Sequence, residues 1–233
     1  MPLRSGLIRF ATPYLGVEST IAIAGEAAAE LAEDMVRNGS APLTVEADQF
    51  ALLSDALDPP TVGRIRDLPD ESVDLVILRR AWKSRTDVAA ALAAAVRAVR
   101  PGGEVIATDI DVNQLLAGPS PRYPVRLLYL AEPEAASNLV SSTVAPAVLG
   151  SEAVRAGLGD VESLTYDDDR GVYEGIAELW SAVQRRGWRG AAWVSQDRSR
   201  SLFEDVARSM AGAHPAGWAV DREPWYAVIG RRR

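Results

Sequence analysis

The chain has 233 residues, 48% of them hydrophobic and 24% charged, with a formal net charge of −7. Such a length suits one α/β domain and the balance excludes wholesale disorder, while the lack of Cys and a lone His214 exclude disulfides, thiolate metal centres and a His-based metal site. The acidic charge argues against nucleic acid as a partner, and no stretch carries the about 7–15 apolar residues of a signal-peptide core or the roughly 20 of a membrane span, so a cytoplasmic protein without membrane contact is expected.

Residues 1–18 scatter Leu3, Leu7, Ile8, Phe10, Tyr14 and Leu15 among Gly and Pro. That pattern predicts a short helix or an ordered arm, packed on the domain edge or folded over a pocket mouth. Ser19–Gly25 reads as the first strand, and Glu26–Arg37 as a helix with Ala28, Leu31, Ala32, Met35 and Val36 on one face and Asn38-Gly39 as its stop. Leu43–Asp48 predicts a second strand, Gln49–Leu57 a short helix ended by Asp58-Pro59-Pro60, and Val62–Arg66 a third strand.

Val73–Leu78 is a short β-branched run and predicts a buried fourth strand. Ser84 and Thr86 are N-cap candidates for the helix that follows, with Asp87 in its first turn and Val88, Leu92, Ala95, Val96 and Val99 at helical spacing. Pro101-Gly102-Gly103 ends it, and Glu104–Thr108 returns the chain to the sheet. A connection of this length containing a helix joins parallel strands.

Arg79-Arg80-Ala81-Trp82 follows the fourth strand at the carboxyl edge, the side on which open α/β sheets bind ligands. These residues suit an anionic or aromatic ligand through bidentate hydrogen bonds and stacking, or else form a solvated Arg pair with Trp packed beneath. Asp109 and Asp111 read as solvated strand-end acids, since two carboxylates alone make a weak cation site.

Residues 115–133, with Pro119, Pro121, Pro124 and Pro133, predict a loop, and 134–157 one or two helices broken near Pro146 and Gly150. Val161–Tyr166 reads as the sixth strand, Asp167–Asp169 as a solvated turn, Gly171–Arg186 and Ser199–Met210 as helices, and Trp225–Ile229 as the closing strand. Trp180, Trp188, Trp193 and Trp218 are expected to roof the core.

The passage Leu-Pro-Asp-x-Ser-Val-Asp-Leu-Val at 68–76, an Ala/Val helix, and then Val-Arg-Pro-Gly-Gly-Glu-Val at 99–105 resemble the fourth and fifth motifs of class I S-adenosylmethionine-dependent methyltransferases. The likeness is greatest to the small-molecule branch that includes quinone-biosynthesis enzymes, and the order of elements extends it over about residues 19–233. It implies a single domain with a seven-stranded, mostly parallel Rossmann-like sheet, helices on both faces, a last antiparallel strand, and a helical or loop cap from 115–150 with the arm 1–18.

S-adenosylmethionine is the cofactor the resemblance implies, held at Ala24, Gly25 and Glu26. Asp48, with Glu46 second, falls where relatives bind the ribose hydroxyls, a diol that a carboxylate can hold with two hydrogen bonds. Asp67 is the nearby acid on the adenine side, and Arg79 is a further cofactor candidate. A small-molecule substrate would meet Tyr14, Trp82 and Tyr123.

The chain departs from the family at the first turn, where Gly25 is followed by Glu26-Ala27-Ala28-Ala29 in place of spaced glycines, and Arg64 or Arg66 replaces a small or acidic residue near the adenine. Glu26 puts a carboxylate at a helix N-terminus, where it competes with the cofactor's own. Two functions therefore stay open. One is a small-molecule methyltransferase that works by alignment and has no fixed catalytic residue. The other is an inactive or repurposed fold that serves as a partner subunit or binds a different ligand. No metal site is expected, and a homodimer or protein partner is left open.

Overall fold

The computed structural model describes residues 6–14, 19–26, 28, 31–32, 35, 50–53, 62–63, 65–82, 87–117, 123–211 and 219–233. Its strands are β1 (Ile21–Gly25), β2 (Phe50–Leu53), β3 (Val62–Gly63), β4 (Val73–Arg79), β5 (Val99–Ile110), β6 (Leu158–Tyr173) and β7 (Ala219–Arg232). Its helices, as labelled here, are α1 (Ile8–Ala11), α2 (Asp87–Ala98), α3 (Val112–Leu116), α4 (Arg126–Ala131), α5 (Pro133–Ser142), α6 (Pro146–Arg155), α7 (Ile176–Arg186) and α8 (Gln196–Ala211). The chain divides into two compact units: a sheet unit of Ser5–Asp109, Val144–Tyr166 and Trp225–Arg233, and a helical unit built on Ile110–Thr143 and Asp167–Pro224.

Strand order is β3-β2-β1-β4-β5-β7-β6. In the sheet unit β4 pairs in parallel with β1, Ile21 opposite Leu75 and Gly25 opposite Arg79, and with β5, Leu75 opposite Glu104 and Arg79 opposite Thr108. The β1/β2 and β2/β3 pairs are antiparallel. Among the described residues the registered pairings join five of these strands in a mixed sheet, two pairs parallel and two antiparallel, where a mostly parallel sheet was expected. One cause is local: the chain from Leu53 to Val62 is shorter than the dozen or so residues a parallel crossover needs.

Alternation sets the two faces. Ala22, Ala24, Val76, Leu78, Val105 and Ala107 face one core, with Val88, Leu92 and Ala95 of α2 and Leu149 and Ala153 of α6. Ile21, Ile23, Leu75, Ile77 and Ile106 face the other, with Leu7, Ile8 and Ala11 of the arm and with Ala28, Leu31, Ala32 and Met35. Both faces are covered, as expected, and each fully buried Leu or Ile contributes about 1.5–3 kcal/mol. The arm therefore acts as part of a core.

The Pro-Gly-Gly passage forms part of β5 as an irregularity: Val73 opposes Val99, but Leu75 already opposes Glu104. Gly103 makes this possible, since a Cβ there would stand 2.5 Å from the Asp74 carbonyl. Other expectations change as well. Phe50–Leu53 is a strand where a helix was expected, and the third strand ends at Gly63, with a 3-10 turn at Ile65–Asp67. The helix break falls at Thr143–Ala145, ahead of Pro146, which takes the first position of α6, so Gly150 is helical. The expected strand Leu43–Asp48, the caps Ser84 and Thr86, and Trp218 lie outside the described residues.

Candidate functional site

The carboxyl ends of β1, β4 and β5 converge in the sheet unit. Gly25 leaves β1 with φ +102°, and a Cβ on it would stand 2.1 Å from the Arg79 carbonyl. Only glycine fits that crossing. The Glu26 amide then donates to the same Arg79 carbonyl at 2.6 Å, so the turn after β1 is tied to the end of β4.

Arg80 also has a left-handed backbone, φ +46°, which costs a non-glycine residue free energy and is held by the bond from its amide to the Thr108 carbonyl at 3.0 Å. Its Nε lies 3.2 Å from Oδ1 of Asp109, a residue with 0% exposure. Oδ2 of Asp109 accepts from the Trp82 indole N–H at 3.3 Å and the Val144 amide at 3.0 Å, and the Tyr226 hydroxyl donates to the Val144 carbonyl. Asp109 is therefore a buried hub and not a solvated strand-end acid. In-register parallel strands explain the pairing: Arg79 opposite Thr108 makes Arg80 and Asp109 the next neighbours. Opposite charges following two adjacent parallel strands were the signal available in the sequence.

Two buried polar atoms at this edge have no partner among the described residues, Nη1 of Arg80 and Oγ1 of Thr108. Such atoms are costly unless a ligand or water meets them. Arg79 is only 3% exposed, which corrects the solvated-pair alternative, and its guanidinium carbon sits 4.4 Å from the centre of the Trp225 ring. Tyr166 stacks on Trp225 at 6.5 Å, and Phe10 meets Tyr166 edge-on at 5.8 Å.

Ala24, Gly25, Glu26, Arg79 and Trp82 are thus brought together. Tyr14 is not. Burial, helped by Glu104, pushes its hydroxyl up to about 12, and Glu104 pairs with Leu75 near the amino end of β4. Asp67 is exposed in the 3-10 turn beside Arg66, whose carbonyl accepts from Arg97 of α2's last turn. Asp48, like Glu46 and Arg64, lies outside the described residues.

In the helical unit, Tyr123 is buried and donates to Asp167 at 2.8 Å, with Oε1 of Gln114 at 3.3 Å. Asp111 caps α3 by accepting from the Gln114 amide at 3.0 Å. Asp167–Asp169 lie within β6, which corrects the expected turn, and alternation sends Asp167 and Asp169 towards Arg222 while Asp168 is buried separately. The bond to Asp169 raises the Arg222 pKa.

The sequence profile described as a methyltransferase domain matches residues 25–107, the span from the Gly25 turn to the last strand residue before Thr108. Among curated proteins no sequence matches. Among solved structures, an Anabaena variabilis protein assigned as a methyltransferase from an antibiotic biosynthesis pathway is similar at 14% identity and a TM-score of 0.53, over 94% of this chain and 96% of that one. A Haemonchus contortus phosphoethanolamine N-methyltransferase 2 with S-adenosyl-L-methionine is similar at 16% identity and a TM-score of 0.37, over 71% of this chain. The chain spans about a third of that protein's length, 34%.

Proposed function

We propose that the chain is a class I S-adenosylmethionine-dependent methyltransferase, in keeping with the methyltransferase-domain match over residues 25–107, and that it transfers a methyl group from S-adenosylmethionine to a small molecule. The observation that carries this reading is the carboxyl edge itself: the Gly25 crossing, with the buried Nη1 of Arg80 and Oγ1 of Thr108 left without partners among the described residues. A guanidinium donor and a hydroxyl are chemically suited to a ligand bearing a carboxylate, an amine and hydroxyls. The residues present fit the cofactor.

When bound, the cofactor would supply an electrophilic methyl group on a sulfonium, with a neutral thioether as its leaving group. The chain's part is to bind and align. Gly25 and Glu26 shape the turn that would hold the methionyl end, and Nη1 of Arg80 would donate to its carboxylate. Asp48 is assigned to the ribose and Asp67 to the adenine side by the family resemblance. Trp82 and Asp109 hold the loop after β4 in place, so that the alignment exists before ligand arrives. The acceptor's proton leaves to solvent.

Isothermal titration with S-adenosylmethionine and S-adenosylhomocysteine tests the proposal. Micromolar binding of both is expected, followed by methyl transfer from labelled cofactor to a panel of small acceptors. Correctly folded protein that binds neither would overturn it and favour a repurposed fold.

A further inference from the structure

Arg126 opens α4 and yet is 1% exposed, because α4 turns Arg126, Leu128 and Tyr129 inward, where Tyr129 meets the Trp188 ring edge-on at 5.0 Å. Its Nη2 donates to the Ala117 carbonyl, while its Nε is buried without a partner among the described residues, and burial lowers its pKa. Other arginines of the same unit are more exposed and have carboxylates: Arg170 and Arg189 share Glu223, Arg198 has Glu132, and Arg222 has Asp169. Arg126 has none among the described residues. Stripping a cation of water costs more than one neutral carbonyl returns. What offsets such a cost is an oxyanion that accepts a charge-assisted hydrogen bond from the guanidinium.

We propose that Arg126 anchors an anion subsite in the helical unit that takes the carboxylate or phosphate group of a small molecule. The residue's burial preorganises the fork, and Ala117 fixes one side of it, leaving Nε to the ligand. This inference does not rest on methyl transfer, and its test uses no cofactor.

Thermal unfolding of the full chain is measured in chloride, acetate and phosphate at matched ionic strength. Wild type should rise in Tm with acetate or phosphate beyond chloride, because a ligand that binds only the folded state stabilises it by mass action; the stronger arm identifies the source as carboxylate or phosphate. Arg126→Met should lose this response and, with the uncompensated charge gone, start from a Tm no lower than wild type. Should that variant not fold, Arg126→Lys keeps the charge without the fork, and its half-saturating anion concentration should be roughly tenfold higher. A wild type indifferent to both anions, or a response that the variant retains in full, overturns the proposal.

Discussion

Replacing Asp109 by Ala should be among the most damaging single changes at the carboxyl edge. The residue is fully buried, and its loss would leave the Arg80 guanidinium uncompensated and the Trp82 and Val144 N–H groups without acceptors. Breaking a buried ion pair from one side costs about 3–5 kcal/mol, and each orphaned donor about 1–3 kcal/mol. These terms share one site and do not add, so a net loss of about 4 kcal/mol is expected, a large part of a domain's usual stability of about 5–15 kcal/mol. With a urea slope on the order of 2–3 kcal/mol/M, the unfolding midpoint followed by tryptophan fluorescence should fall by roughly 1.5 M. Asp109→Asn keeps an acceptor oxygen and should lose about half as much. Adding Arg80→Ala to Asp109→Ala should restore part of the stability, since the stranded charge goes with it. A midpoint shift below about 0.3 M for Asp109→Ala would refute the hub.

Gly25→Ala meets both a left-handed backbone and the Arg79 carbonyl at 2.1 Å, so it should destabilise by about 3 kcal/mol or more in the same urea assay. Tyr14 should ionise late: its pKa rises from 10.0 to about 12, so the unfolded chain releases this proton first. The stability it contributes is present below about pH 10 and is lost as pH rises through 12, and Tyr14→Phe should flatten that alkaline decline in denaturation series. Asp48→Ala should weaken S-adenosylhomocysteine binding by about 1–3 kcal/mol in calorimetry, and unchanged affinity would remove Asp48 from the site.

The β4–α2–β5 unit was legible in the sequence because local signals agreed there, a β-branched run and helical spacing of apolar residues, although the helix ends at Ala98 and Pro101-Gly102-Gly103 lies within β5. Phe50–Leu53 was not, because a short apolar run has no period that separates strand from helix. Asp167–Asp169 resembled a turn by composition, and only the distant Arg222 explains why three acids can sit in a strand. At the site, Gly25 and Arg79 were found as strand-end residues, whereas Asp109 was underestimated because its partners Arg80, Trp82 and Val144 come from separate segments. The family resemblance places Tyr14 at the substrate, whereas its neighbour Glu104 becomes visible only through sheet register.

The bond from the Val144 amide to Asp109 has a consequence for how this chain can change over time. Asp109 is the residue at which the backbone leaves the sheet unit, and Val144 the one at which it comes back. One carboxylate thus clasps both ends of the excursion between them. Loop-closure entropy grows slowly, by about 0.6 kcal/mol for each doubling of length, so with its base fastened that excursion can change in length at little cost in closure. Change within it is bounded by its bonds to the later part of the helical unit, such as Tyr123 to Asp167 and Glu132 to Arg198, while Asp109 holds the clasp shut.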